Sequence, residues 1–233
     1  MTAFPFIAGI LASSAHVVSG PDHLAAVTPL VVESRHKTWK IGFLWGVGHL
    51  LGMLLIGLLF LTFKDRIPVE LISHVNEKLV ALILIALGFW TFYRLYRPAR
   101  KHTHPHVHTS NNEVVVHIHK HEHKDAGHFH THDTFKRQTA WSSLGIGIIH
   151  GFAGVSHFIL LFPVLGFTDM SQSLRYLAGF AVGTVLAMTL YALLIGWISE
   201  FSARSRSGKL LQAFRLLSGV FAVVVGIFWL YQA

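Results

Sequence analysis

HVVSGPDH, residues 16–23, shares its pattern with HGFAGVSH, residues 150–157. Both stretches fit H-x-x-x-G-x-[D/S]-H, and each lies inside an apolar segment long enough to cross a bilayer. Ionisable side chains at that depth are costly and usually mark the path of an ion or substrate. Two copies of the pattern predict an internally duplicated transporter with a metal site between its halves.

The composition is that of a polytopic membrane protein. The 233 residues are 52% hydrophobic and 13% charged, about half the charged fraction of a soluble domain. Six apolar runs of roughly 20 residues predict an all-α protein with six transmembrane helices: 4–31, 41–63, 77–97, 141–166, 174–199 and 209–231. The first run is not read as a signal peptide, since it lacks a basic start and contains three ionisable residues of the motif.

The repeat extends beyond the histidines. GVGH at 46–49 corresponds to AVGT at 181–184, and GFWTFY at 88–93 corresponds to GIFWLY at 226–231. Three spans per half give opposite orientations, so we predict a 3+3 inverted repeat. The predicted divisions are a first three-helix repeat (1–97), a histidine-rich cytoplasmic loop (98–138) and a second repeat (139–233).

Helices 1 and 4 are predicted to be broken. Pro21 cannot donate a backbone hydrogen bond, and Gly20 before it loosens the chain. Gly151 and Gly154 give span 4 a similar weakness. Carbonyl groups freed at membrane depth are tolerated where they line a cavity, so Gly20 and Pro21 are expected to shape the path.

The charge distribution predicts the topology. Of the 19 Lys and Arg residues, 15 lie in or beside the loops after spans 1, 3 and 5, and four lie on the opposite side. This bias predicts both termini outside, in a bacterial inner (plasma) membrane. It also accounts for the net charge of +8 without a nucleic-acid partner. The expected partners are the lipid bilayer and a divalent metal ion, and there is no cysteine to supply a thiolate ligand.

Four side chains of the first half form the predicted metal site. Counting residues from the cytoplasmic ends of spans 1 and 2 places His23 and His49 at one depth, with Asp22 beside them and His16 nearer mid-membrane. Imidazole and carboxylate ligands suit nickel, cobalt or zinc. The second half keeps His150 and His157 as further metal ligands. It carries Ser156 and Thr184 where the first half has Asp22 and His49, so we expect a gate or secondary polar role there.

The loop between the halves holds 11 of the 18 histidines. Many alternate with another residue, and in an extended chain such residues share one face. We expect a flexible loop that collects borderline divalent cations, in which residues 113–117 form a strand. Its histidines are His102, His104, His106, His108, His117, His119, His121, His123, His128, His130 and His132.

At these residues the chain resembles the nickel/cobalt permease superfamily (NiCoT/NicO-like), most closely its UreH and HupE/UreJ-type branches. His16, Gly20, Asp22 and His23 match the H-x-x-x-G-x-D-H signature of those branches. Gly48-His49 resembles the second G-H element, and HGFAG at 150–154 resembles the H-G-x-A-G element of UreH-like proteins. The best-known nickel/cobalt permeases have one residue fewer in the first motif. Efflux members of the superfamily carry a histidine-rich loop in the same central position, so the resemblance leaves direction open.

The resulting hypothesis is a secondary transporter for nickel or cobalt, with uptake favoured and no prosthetic group. Efflux by proton exchange is an alternative. A second class, an intramembrane zinc-dependent hydrolase, could use histidines, an aspartate and Ser156 to activate water. The duplicated site argues against it, and we expect no enzymatic activity. A b-type cytochrome is a third class. A link to metallochaperones or metalloenzyme maturation is compatible with transport.

Overall fold

The chain begins with a helix that breaks inside the first predicted span. In the computed structural model, α1 (Phe4–Ser19) is followed by Gly20, α2 starts at Pro21, and the two helices are bent by 72°. Gly20 has extended backbone angles, and its N–H still donates to the carbonyl of His16 at 3.0 Å. Pro21 lacks an N–H and therefore fits the first position of a new helix. The break lies at the predicted position. Taken together, α1 and α2 are long and apolar enough to count as one broken membrane span.

The structure describes residues 3–34, 37–63, 69–96, 102–110, 113–121, 133–153, 163–167, 169–204 and 208–232. Its elements are α1 (Phe4–Ser19), α2 (Pro21–Ser34), α3 (Thr38–Phe63), α4 (Val69–Tyr96), β1 (His102–Ser110), β2 (Glu113–His121), α5 (Asp133–Phe152), α6 (Pro163–Gly166), α7 (Met170–Ala203) and α8 (Lys209–Gln232).

Four helices in this part of the chain are long and apolar enough to cross a membrane, or five spans if the bent pair counts as one. The four are Thr38–Leu59, His74–Tyr96, Met170–Ala203 and Lys209–Gln232. Large apolar side chains cover their outward faces; Leu54, Phe89, Leu190 and Leu217 are each at least 60% exposed. Such a surface suits lipid contact and not water, so the protein is an integral membrane protein.

The predicted fourth span, 141–166, begins within α5 and ends with α6. Residues 154–162 between them lie outside the described residues. The predicted break after Gly151 therefore falls partly outside the described chain, and so do Ser156 and His157.

Three pairs of helices make the most extensive contacts: α1 with α7, α3 with α5, and α4 with α8. Glycines allow the backbones to approach closely. A Cβ added to Gly48 of α3 would collide with the carbonyl of Leu144 in α5, and one added to Gly183 of α7 would collide with the carbonyl of Ile10 in α1. Bulk at these positions would therefore force the helices apart.

The same holds where α4 meets α8. A Cβ on Gly88 would collide with the carbonyl of Gly219, and one on Gly226 would collide with the carbonyl of Ala81. Gly88 and Gly226 are the first residues of the two matching sequence segments. Each of these two glycines therefore lies against the backbone of the other helix.

Polar contacts fix α2 against the second half. The hydroxyls of Thr28 and Tyr191 lie 2.6 Å apart. At the end of α2, the carboxylate of Glu33 is buried between two guanidinium groups, with Arg94 Nε at 2.9 Å and Arg215 Nε at 3.0 Å. This cluster joins α2 to the end of α4 and the first turns of α8.

The segment expected as a flexible loop contains an antiparallel hairpin of β1 and β2, with His102 opposite His121 and Ser110 opposite Glu113. The strand expected from residue 113 is present as β2 (Glu113–His121). The helix that follows, α5, starts at Asp133, earlier than the predicted fourth span.

Candidate metal centre

Three histidines of the first half come together inside the protein. His16 of α1, His23 of α2 and His49 of α3 each offer a ring nitrogen, and these nitrogens all lie within 4.8 Å of one another. The ring centroid of His23 is 4.7 Å from that of His16 and 5.1 Å from that of His49. His23 and His49 are buried, whereas His16 is half-buried.

The separation of the nitrogens suits a site that closes on its ion. Two nitrogens bound tetrahedrally to one metal lie about 3.4 Å apart, given metal–nitrogen distances of about 2.1 Å. Side-chain rotations that move each ring nitrogen by about an ångström would bring the three imidazoles to that spacing. Three neutral nitrogen donors suit nickel, cobalt or zinc better than magnesium or calcium, which prefer oxygen.

The break between α1 and α2 creates the room for this cluster. A Cβ on Gly20 would collide with Nδ1 of His23 and would lie 3.1 Å from Oδ1 of Asp22. The absence of a side chain at Gly20 lets the His23 ring turn back towards α1. The 72° bend then sets the rings of His16 and His23 edge to face, with 75° between their planes.

Asp22 faces the second half of the chain. Its Oδ2 lies 3.8 Å from Nε2 of His23 and 3.7 Å from Nε2 of His150. All three side chains are buried. An uncompensated buried charge is costly. A cation bound between the carboxylate and the imidazoles would offset the cost of burying the Asp22 charge. Asp22 thus lies between His23 of the first half and His150 of the second.

Trp45 is a site residue that the sequence interpretation missed. Its indole is fully buried and stacks on the His49 ring, with 5.0 Å between centroids and 10° between planes. It also lies 5.4 Å from the His23 ring and 5.5 Å from the His150 ring. The available signal was its position one turn before His49 on the same helix. From sequence alone, an aromatic residue in an apolar span is normally interpreted as a packing residue.

The remaining predicted residues are distributed as follows. Thr184, the counterpart of His49, is buried in α7, and its hydroxyl donates to the carbonyl of Phe180 at 2.9 Å. Ser156, His157, His123, His128, His130 and His132 lie outside the described residues. The other loop histidines occupy β1 and β2.

Fold and site together define a class: a polytopic helical membrane protein with buried imidazoles where a broken first helix meets its neighbours. The chain belongs to the family of the urease accessory protein UreH of Bacillus sp. (strain TB-90). It is 32% identical to that protein over 218 residues, which cover 91% of this chain and 84% of the relative.

Two plant proteins are also similar. The chloroplast proteins FOR GROWTH AND FERTILITY 2 and 1 of Arabidopsis thaliana are each 29% identical over 220 residues, or 94% of this chain. The match covers 54% and 56% of their lengths, so the chain spans about half of these curated relatives. No protein-family model and no solved structure matches the chain.

Proposed function

We propose that this protein is a secondary transporter that carries nickel or cobalt ions across the membrane through the site formed by His16, Asp22, His23 and His49. The observation that carries the proposal is the convergence of three imidazole nitrogens within 4.8 Å on segments of apolar helices. A cluster that served packing alone would not need three imidazole nitrogens to converge on one point.

The kinship with UreH supports nickel as the cargo. That protein is named as a urease accessory protein, and urease is a nickel enzyme. A membrane protein that assists urease through a histidine site would supply the ion. Cobalt shares the preference for imidazole nitrogen, and zinc would compete for the same ligands. Metallochaperones or enzyme maturation proteins would receive the ion on the inner side.

The reciprocal helix contacts support an inverted 3+3 repeat with six spans. Under the sequence offsets of 134, 135 and 138 residues, α1 corresponds to α5, α3 to α7 and α4 to α8. The pairing of α1 with α7 then maps onto the pairing of α5 with α3, and α4 with α8 maps onto itself. The glycine contacts at Gly48 and Gly183, and at Gly88 and Gly226, follow the same exchange. A site between such halves can open to one side at a time.

Two groups of ligands give the ion a route. His16, His23 and His49 form the first, and Asp22 with His150 forms the second, with His23 in contact with both. An ion can be handed from one group to the other without losing all its ligands. The membrane potential favours inward movement of a divalent cation by about 4.6 kcal/mol per 100 mV, twice the single-charge value, so uptake needs no further coupling.

Flux into proteoliposomes tests the proposal. Purified protein is reconstituted, and entry of Ni²⁺, Co²⁺ and Zn²⁺ is followed at both polarities of the membrane potential. We expect Ni²⁺ or Co²⁺ to enter faster when the interior is negative, and no entry with His23→Ala. Movement that requires an opposing proton gradient would establish efflux instead, and equal flux in empty liposomes would refute transport.

The proposed orientation, with both termini outside a bacterial inner membrane, rests on the 15-to-4 distribution of Lys and Arg. The chain has no cysteine, so single cysteines report their location. Ser110→Cys should be protected from an impermeant thiol reagent in intact cells, and Thr2→Cys should be labelled. The reverse pattern would invert the topology.

A further inference from the structure

The second helix of the broken span, α2, is buried on every side. Each residue from 25 to 33 is buried, and the helix contacts α8 most extensively, with further contacts to α3, α4, α5 and α7. A water-filled path wide enough for an ion would expose side chains along this helix. Within the described residues, the route along α2 from His23 to its last turn is therefore closed.

A buried ion cluster closes the far end of this helix. Glu33, in the last turn of α2, accepts a hydrogen bond from Nε of Arg94 at 2.9 Å, and Arg215 approaches its two carboxylate oxygens at 3.0 and 3.3 Å. The Glu33 side chain is 1% exposed, whereas those of Arg94 and Arg215 are 30% and 19% exposed. The two arginines thus extend from the surface to a carboxylate that is itself shielded from water.

Glu33 lies on the same face of α2 as Asp22 of the candidate metal centre. The two residues are 11 positions apart, which is about three helical turns, or roughly 16 Å. Ala26 and Pro29 lie between them on this face, are buried, and offer no side-chain ligand to a cation. One carboxylate against two guanidinium groups, which stay protonated, gives the cluster a net positive charge. A divalent ion that left Asp22 along this face would be repelled there.

We propose that Glu33, Arg94 and Arg215 form the inner gate of the transport path and hold it closed in this structure. Release of the ion requires the arginines to separate from Glu33, so that the end of α2 moves away from α4 and α8. Gly20 provides the hinge, since α2 packs much less against α1 than against α8 and meets α1 at a bend of 72°. The inference rests on the proposed function for its cargo and for the side called inner, whereas closure itself is measurable without metal.

Cysteine accessibility tests the gate directly, because the chain has no cysteine of its own. Ala26→Cys places a reporter on the face that joins the metal centre to the gate, at a fully buried side chain. Ala192→Cys reports general loosening, since Ala192 is equally buried in α7 and packs against Gly42 of α3. Lys209→Cys, at the exposed start of α8, identifies membrane vesicles whose gate side faces an impermeant thiol reagent.

The labelling rate of Ala26→Cys is measured in such vesicles, well below the thermal transition. With the gate intact, it should be slow compared with that of Lys209→Cys. Glu33→Gln should raise it by at least about tenfold, because loss of one partner strongly destabilises a buried ion pair. Ala192→Cys should stay protected when combined with Glu33→Gln. An unchanged rate at Ala26→Cys, or equal acceleration at both buried positions, would overturn the gate.

Two further substitutions separate the gate from other effects of charge loss. Glu200→Gln removes a carboxylate from an exposed pair with Arg204 and should leave the rate at Ala26→Cys within about twofold. Glu33→Asp keeps the carboxylate, so the rate should stay well below that of Glu33→Gln, and equal rates would show that this charge does not close the path. Ni²⁺ flux in the same vesicles distinguishes the two proposals: absence of flux in the parent protein would refute transport, whereas the labelling rates decide the gate without metal.

Discussion

Oδ2 of Asp22 lies 3.7 Å from Nε2 of His150, and this contact joins the histidine cluster of the first half to the second half of the chain. His150 lies in the last turn of α5, whereas Asp22 lies in the first turn of α2. The contact is longer than a hydrogen bond, so a movement of less than about an ångström would tighten it. Under the proposed function, a change in the packing of α2 against α5 would alter this contact beside the proposed metal site.

His150→Ala is therefore expected to slow transport more than it weakens binding. His150 does not belong to the group of three converging nitrogens, so Ni²⁺ affinity should stay within about threefold, whereas loss of a direct ligand should cost about tenfold or more. Flux and equilibrium binding measured on the same preparation separate the two. His49→Ala is the comparison variant, and it should lose affinity. If His150→Ala lost affinity to the same extent, His150 would be a ligand of the first group.

Gly20→Ala should disable the site through a single methyl group. The added Cβ would collide with Nδ1 of His23, and the ring must turn away from His16 and His49. We expect Ni²⁺ binding to fall by about tenfold or more while insertion into the membrane is unchanged. Gly57→Ala in α3 is the control, because a Cβ there meets nothing within 4 Å. Equal binding by both variants would show that the His23 ring is not held in place by this contact.

Trp45 is expected to position His49 by stacking. Trp45→Phe retains an aromatic face for the ring, whereas Trp45→Leu removes it. A stacked aromatic pair contributes roughly 0.5–1.5 kcal/mol beyond its buried area. Trp45→Leu should therefore weaken Ni²⁺ binding by about threefold to tenfold, and Trp45→Phe by less.

Calorimetry with Trp197→Leu, at an exposed tryptophan, controls for general effects of tryptophan loss. The positioning role would be contradicted if Trp45→Phe and Trp45→Leu had identical affinities.

The sequence predicted the parts of this structure that depend on position along one helix. Pro21 marks the break in the first span, and residue counting placed His23 and His49 at one depth, where their rings are 5.1 Å apart. It did not predict that Asp22 would face His150, because the rotation of each helix about its axis is set by packing against helices distant in sequence. Trp45 was missed for a different reason: it lies four residues before His49 on the same helix, but an aromatic residue in an apolar span usually only packs. The row-by-row pairing of His104 with His119 depends on strand register, which hydrophobic periodicity does not reveal in a polar segment.

The ion cluster at Glu33 should contribute strongly to stability. Its carboxylate is 1% exposed and contacts Arg94 and Arg215. Removal of one partner of a buried ion pair costs about 3–5 kcal/mol, so Glu33→Gln should lower the thermal transition by several degrees. Glu200→Gln is the matched control, since the Glu200–Arg204 pair is exposed and such pairs contribute about 0–1 kcal/mol. Equal melting temperatures of the two variants would show that the Glu33 cluster stabilises the fold no more than the exposed Glu200–Arg204 pair does.

The central claim is that His16, His23 and His49 bind the transported ion. The most direct measurement is equilibrium Ni²⁺ binding to full-length protein in which the 11 histidines of 102–132 are replaced by asparagine, combined with X-ray absorption at the nickel edge. The account predicts one Ni²⁺ per chain with imidazole nitrogens around it, and loss of that ion in His23→Ala. Absence of a bound ion, or an unchanged ion in His23→Ala, would contradict it.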